Sequence, residues 1–356
     1  MNKILLNILL IMLFIYKCGN DKTSESQNTV KVITKITDKT QRFISVNDMF
    51  TSKNEFIFKP VKILEHPKTL DVIVLDNGNH SMYLFNKNEK GNIILKKRVG
   101  SAGEGPGDLL MPYNMFIGKD DNIYVYENGN NRISVFDERG KFIYTKKINI
   151  ILPSRQPQSN FIVDGNNVIF NLPKRNHYLT LINLKDDTII DLCKIDIYKN
   201  VKNSTIFAYC RIFTDDNNYI VFLDQLPIIK KYDKSGKIIM EKNIESFLDI
   251  PLKYYPWNDN FDGSFAILYN DIIKKDNYYY LLKMLKNFSI YLYILDNDFN
   301  FINKYEILFD NNINFSRENP TICLINSGKT LLMANPYESE IYNIEIYNII
   351  KFNKNK

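Results

Sequence analysis

Several residue types are scarce here, and each scarcity removes a class of function. Histidine occurs only at His66, His80 and His177, tryptophan only at Trp257, and cysteine four times in 356 residues. Cys193, Cys210 and Cys323 are far apart, form no C-x-x-C and sit in apolar contexts. Neither a Cys/His metal site nor a disulfide framework is written in that spacing. Buried free thiols are the expected state, with a Cys193–Cys210 disulfide as the alternative in an exported protein. No run of basic residues is present. Removing Lys3 and Lys17 from the 46 basic residues leaves 44 against 40 acidic ones, a diffuse excess that argues against nucleic acid as a partner. Neither G-x-x-x-x-G-K-[ST] nor G-x-S-x-G occurs. No cofactor, metal or catalytic residue is expected from these patterns.

What is present begins with one apolar run. Ile4 to Ile15 (ILLNILLIMLFI) follows Met1-Asn2-Lys3 and is about the length of a signal-peptide core. Twelve helical residues reach about 18 Å, short of a bilayer core of about 30 Å. The run ends at Lys17-Cys18 and gives way to the polar GNDKTSESQN, which cannot pack and reads as a tether. This segment resembles a bacterial lipoprotein leader, which implies a signal peptide over residues 1–17, a lipid on Cys18, a tether over 18–29 and a folded domain over 30–356. Lys17 departs from the small residue usual before such a cysteine, so an uncleaved anchor or a plain secretory signal are the alternatives.

The remainder is 45% hydrophobic and 13% aromatic over the whole chain, enough for a sizeable core. It is also repetitive. DVIVLDNGNHSMYLF, from Asp71, and NIYVYENGNNRISVF, from Asn122, share an apolar strand, an acid, Asn-Gly-Asn and a second strand. Further copies of the first strand start at Asn167, Asn218, Asn277 and Lys329, with steps of 51, 45, 51, 59 and 52 residues. Each is continuously apolar and about six residues long, as suits a strand buried on both faces. Turn chemistry such as DERGK (Asp137) and DKSGK (Asp233) then reverses the chain into an outer strand, and a shorter inner strand precedes each copy: VKIL, MFIG, NFIV, CRIF, AILY near Ala266, and TICLI. Four antiparallel strands repeated six times predict an all-β, six-bladed β-propeller. Five outer strands are present for six blades, so Val30 to Thr37 (VKVITKIT) is expected to complete the last blade and close the ring.

NIYVYENGNNRISVFDERGKFI is similar to an NHL repeat. With GSAGEGPGDLLMP before it and the leader, the chain resembles the six-bladed β-propeller lipoproteins of bacteria, specifically over Val72 to Ile148 and beyond that by spacing alone. The resemblance implies a location in the cell envelope, attached to a membrane and periplasmic or surface-exposed.

Several stretches could be mistaken for chemistry. GSAGEGPG, Gly100 to Gly107, leads into no Lys-Thr and no helix, so it is expected to turn the chain between blades, with an anion-binding nest as the alternative. The acidic Asn-Gly-Asn segments at Asp76 and Glu127 are hairpin turns rather than calcium loops, and Arg132 is expected to pair with a neighbouring turn. If a binding face exists, topology places it on the side of the blade-to-blade connections, where Tyr113, Arg155, Arg175, His177, Trp257 and Arg317 lie. Such groups around a concave mouth suit a glycan, an envelope protein or a small anionic ligand. The leading expectation is a lipid-anchored envelope propeller that binds without chemistry; the alternative is a metal-dependent lyase or hydrolase at the mouth of the channel.

Overall fold

A computed structural model describes residues 57–87, 93–148, 161–195, 207–248, 268–284, 290–307, 320–325, 330–335 and 340–345. The strands fall into six antiparallel sheets, each built from consecutive strands in chain order. Blade 1 comprises β1 (Pro60–Glu65), β2 (Val72–Asp76), β3 (Ser81–Lys87) and β4 (Ile93–Val99). Blade 2 comprises β5 (Pro112–Ile117), β6 (Ile123–Glu127), β7 (Arg132–Phe136) and β8 (Phe142–Lys147). Blade 3 has β9 (Ile162–Asp164), β10 (Asn167–Phe170), β11 (His177–Asn183) and β12 (Ile189–Lys194); blade 4 has β13 (Cys210–Thr214), β14 (Asn218–Leu223), β15 (Ile228–Asp233) and β16 (Ile238–Asn243). Blade 5 has β17 (Asp271–Lys275), β18 (Tyr278–Met284), β19 (Ile290–Asp296) and β20 (Phe301–Ile307). The sixth sheet has three strands among the described residues: β21 (Thr321–Ile325), β22 (Thr330–Asn335) and β23 (Glu340–Glu345).

Strand periodicity explains why these sheets form a ring. Side chains alternate across a strand, so a continuously apolar strand needs an apolar neighbour on each face. In β2, Val72 and Val74 enter a core shared with Cys323, Ile325 and Leu332 of the sixth blade, whereas Ile73 and Leu75 enter one shared with Ile123 and Val125 of blade 2. In β6, Tyr124 and Tyr126 then turn the other way, toward Phe161, Val168 and Phe170 of blade 3. Three further cores join blades 3 and 4, 4 and 5, and 5 and 6. The six cores together close the circle, and each fully buried Val, Ile or Leu adds about 1.5–3 kcal/mol. The fold is therefore a β-propeller of four-stranded antiparallel sheets.

The outer turns follow the expected chemistry. The Asp137 carboxylate accepts the N–H groups of Arg139 and Lys141, and Asp233 and Asp296 repeat the pattern in blades 4 and 5. The fourth turn residue, counting the aspartate as the first, is left-handed, φ 71° at Gly140 and 86° at Gly236, but in blade 5 it is Phe299, at φ 58°. Phe299 is fully buried against Phe222 and Tyr279, and that packing outweighs the strain.

One strand differs from expectation. The inner strand of blade 5 is β17, five residues beyond the AILY at Ala266. Leu268 and Tyr269 instead fill the core between blades 4 and 5, because the Leu268 N–H bonds to the Asp224 carbonyl and holds the segment there. Cys193, Cys210 and Cys323 are buried free thiols, as expected, and burial pushes Cys193 and Cys323 up to about 12, which leaves them inert. Val30 to Thr37 lies outside the described residues, as do the leader and Cys18.

Candidate functional site

The inner strands β1, β5, β9, β13, β17 and β21 surround the axis. Their first residues lie at the end of the channel where the connections between blades arrive, called here the upper end. Charged side chains of β1, β13 and β17 gather there. Arg211 of β13 donates from Nε to Asp224 Oδ1 at 3.1 Å, from Nη1 to Asp271 Oδ1 at 3.4 Å and from Nη2 to the Asn270 carbonyl at 3.2 Å. Asp271 of β17 also faces the Lys62 ammonium of β1, at 3.3 Å, and accepts from Thr321 Oγ1 at 2.8 Å and from the Ile322 N–H at 3.0 Å. Charges alternate along the row Asp224, Arg211, Asp271 and Lys62, which links blades 4, 5, 6 and 1.

The row is deeply buried: the Arg211 and Asp271 side chains are each 4% exposed and Lys62 12%. Burial alone would raise the Asp271 carboxyl, but the Lys62 and Arg211 charges, with the bonds from Ile322 and Thr321, hold it below its ordinary value. Asp224 goes the other way, raised chiefly by burial against a partial offset from Arg211. Tyr113 of β5 belongs to the same end. Its phenol is pushed up by burial and by Tyr126, and the Arg211 guanidinium opposes that shift.

Of the residues expected around the mouth, Tyr113 stands near the start of β5, with its ring packed against the core between blades 2 and 3. Arg175 is on the upper side but turned to the rim, where it holds Asp191 of the outer strand β12 through two nitrogens, at 2.7 and 2.8 Å. His177 follows it, with Nδ1 2.9 Å from the Arg175 carbonyl. Arg155, Trp257 and Arg317 lie outside the described residues. Lys62, Arg211, Asp224 and Asp271 were not anticipated. An arginine inside the apolar CRIF and a lysine inside VKIL were the available signals, since a charge within a buried strand calls for a partner.

The Gly100–Gly107 stretch is a structural clasp. Arg132 donates to the carbonyls of Glu104 (2.7 Å), Gly105 (3.3 Å) and Asp108 (2.8 Å), and its Nε pairs with Glu127 at 2.8 Å. Asp108 occupies the nest itself, accepting the Gly105 N–H and the Ser101 hydroxyl. Gly100 and Gly107 have φ of 85° and 83°, where a side chain would be strained. Asp76 makes the parallel clasp in blade 1, accepting the N–H groups of Phe58, Lys59 and Gly78. Both acidic turns thus spend their carboxylates on the chain's own donors.

The three histidines are separately engaged. His66, fully buried, accepts the Lys68 and Thr69 N–H groups at Nδ1 and donates from Nε2 to the Asp121 carbonyl, latching blade 1 to blade 2. His80 Nδ1 accepts the Met111 N–H. Among the described residues no three His, Cys, Asp or Glu side chains are grouped to hold a metal ion.

This geometry agrees with comparison to known proteins. A family model, DUF5128, described as a 6-bladed beta-propeller, matches residues 20–226, more than half of the chain. The chain belongs to that family. The DUF5128 propeller is also similar to a solved Bacteroides fragilis protein whose name describes it as exported, at 14% identity over 82% of each chain with a TM-score of 0.52. It is similar to a streptogramin B lyase (13% identity, 83% of this chain and 95% of that one, TM-score 0.45) and to a gluconolactonase from Xanthomonas campestris (8% identity, 85% and 91%, TM-score 0.48). At these identities the likeness shows the fold alone. No curated protein matches.

Proposed function

We propose that this protein is a cell-envelope propeller, held on a bacterial membrane by a lipid at Cys18, that binds an envelope protein, a glycan or a small anionic ligand at the upper mouth of its channel without chemistry of its own. One observation carries the reading: the inner strands bring Lys62, Tyr113, Arg211 and Asp271 to one end of the axis. In sequence, Arg155, Trp257 and Arg317 precede the inner strands β9, β17 and β21. Loops around a rigid scaffold are where propellers place recognition. The leader supports the location.

Thermal-shift screening of the full chain in detergent, against neutral sugars, organic acids and peptides, with cross-linking in cells, tests the binding role. Silence across all classes together with no cross-linked partner would refute it. Stoichiometric zinc or calcium in the purified chain, removable only by a strong chelator, would overturn the absence of chemistry. Cys18→Ala should move the protein from the membrane fraction to the soluble one, and unchanged membrane association would refute lipidation there.

A further inference from the structure

The outer strands do not share charge evenly. Those of blades 3, 4 and 5 carry one lysine and one acid each: Lys194 and Asp191, Lys242 and Glu241, Lys304 and Glu306. Those of blades 1 and 2, IILKKRV and FIYTKK, carry Lys96, Lys97, Arg98, Lys146 and Lys147 and no acid. The turn that feeds β8 adds Arg139 and Lys141. An excess of positive charge that is diffuse along the chain is thus gathered by the fold on one side of the ring.

Part of that charge is spent internally. Lys96 reaches Asp71 at 2.7 Å, Lys146 reaches Asp187 at 2.9 Å, and Arg98 donates to the Ser81 hydroxyl. In the turn, the Asp137 carboxylate accepts the N–H groups of Arg139 and Lys141, and Glu138 faces Lys68 at 3.7 Å. Lys97, Arg139, Lys141 and Lys147 are exposed and have no carboxylate partner among the described residues.

Packing and register set these four around one groove. The Lys97 ammonium crosses from blade 1 to blade 2, donating to the Arg139 and Gly140 carbonyls at 3.4 and 3.3 Å. Lys97 stands opposite Leu84, Phe142 opposite Phe136 and Lys147 opposite Arg132. Residues directly opposite share a face of the sheet, and alternation puts Arg132 on the Phe136 face of β7. Leu84, Phe136 and Phe142 pack in the core between blades 1 and 2, so Lys97 and Lys147 flank the outer end of that core, with the turn that Lys97 holds beside them. Ile143 and Tyr144, next along β8, are 46% and 39% exposed.

Cations beside exposed apolar and aromatic side chains suit the surface of an anionic bilayer, where ammonium groups meet headgroups and apolar tips enter the boundary below. A soluble polyanion would gain nothing from Ile143. One lipid chain alone gives only marginal, reversible attachment, and a basic patch is a second signal that makes it stable. A tether over residues 18–29 extends to about 40 Å at most, which keeps the folded domain within reach of the membrane.

We propose that the outer groove between blades 1 and 2 docks on a bilayer surface carrying anionic lipids, with Lys97, Arg139, Lys141 and Lys147 on the headgroups and Ile143 beneath them. The inference rests on the membrane location above and adds a second contact to the anchor. It stands the ring on its outer edge and leaves the channel mouth clear of the bilayer.

The test is flotation of the full chain on phosphatidylcholine vesicles with and without phosphatidylglycerol, followed by amine labelling read by mass spectrometry. With phosphatidylglycerol, Lys97, Lys141 and Lys147 should label at least about fivefold more slowly, and raised salt should restore them. Lys185, Lys194 and Lys237, exposed on blades 3 and 4, should label alike on both vesicles. The triple variant Arg139→Gln, Lys141→Gln, Lys147→Gln should lower the ratio of docked to undocked chain about a hundredfold, at about fivefold per cation, and free Lys97 to label. Its thermal midpoint should match wild type, and the triple Lys185→Gln, Lys194→Gln, Lys237→Gln should keep the protection. Equal slowing at the three blade 3 and 4 lysines, or none at Lys97, Lys141 and Lys147, overturns the docking and leaves the anchor to be judged by the Cys18→Ala fractionation. A chain that floats with neither vesicle overturns it too. Protection of the same lysines by soluble alginate in detergent, without protection on phosphatidylglycerol, overturns the bilayer and assigns the groove to an acidic polymer.

Discussion

Replacing Asp271 with asparagine tests whether one buried carboxylate ties the ring together from inside. Asp271 accepts from Lys62 on blade 1, Arg211 on blade 4, its own Ile272 N–H on blade 5, and the Thr321 hydroxyl and Ile322 N–H on blade 6. Asparagine keeps the shape but offers one acceptor oxygen, turns an NH₂ toward former donors and removes the charge. Removing one partner of a buried ion pair costs about 3–5 kcal/mol. Arg211, 4% exposed, cannot reach water but keeps Asp224, so the lower part of that range is expected, about 3 kcal/mol. That is a large fraction of a domain stability of about 5–15 kcal/mol. Urea unfolding followed by circular dichroism at neutral pH measures it. A loss below about 1 kcal/mol would refute the role of Asp271 as the hub.

The pH dependence supplies the sign. The Asp271 carboxyl is held low, so its stabilisation is present above the unfolded-state value of about 3.9 and fades as pH falls through its lower folded value. Asp224 is raised, so its contribution is full below the unfolded value and is lost as pH rises through the folded one. Asp224→Asn should therefore be much milder than Asp271→Asn at neutral pH, and should gain on the wild type as pH rises from acid.

Other perturbations follow from the same contacts. Arg132→Ala removes the donors that hold three carbonyls of the Gly100 stretch, so a loss of about 2–4 kcal/mol is expected, with new protease cleavage between Ser101 and Asp108; an uncut variant of unchanged stability would contradict the clasp. Phe299→Gly relieves about 1–2 kcal/mol of left-handed strain but deletes a ring worth about 3–5, so a net loss of about 2–3 kcal/mol is expected in urea, and a stabilised variant would show that strain dominates. Deleting Val30 to Thr37 should lower stability by several kcal/mol if that segment completes the last blade, and an unaltered melting curve would sink the pairing.

Much of this propeller could be read directly. Continuously apolar strands such as VIVL and IYVY, recurring 51 residues apart, and the Asp-x-x-Gly turns at Asp137 and Asp233 carry their geometry locally, because alternation across a strand and positive φ at a turn involve only neighbouring residues. The clasp at Arg132 was equally legible, since its partners recur within one repeat. The inner strand of blade 5 was not: DIIKK begins with a charge that looks like loop until Arg211, 60 residues away, and Lys62, 209 residues away, supply its partners.

The chain by itself therefore determined the repeating sheet module, its turns and the need of each module for two neighbours. Only the tertiary structure decided which charges meet at the axis. Inner strands far apart in sequence become adjacent when the ring closes, and a buried charge acquires its meaning from whatever stands across the channel.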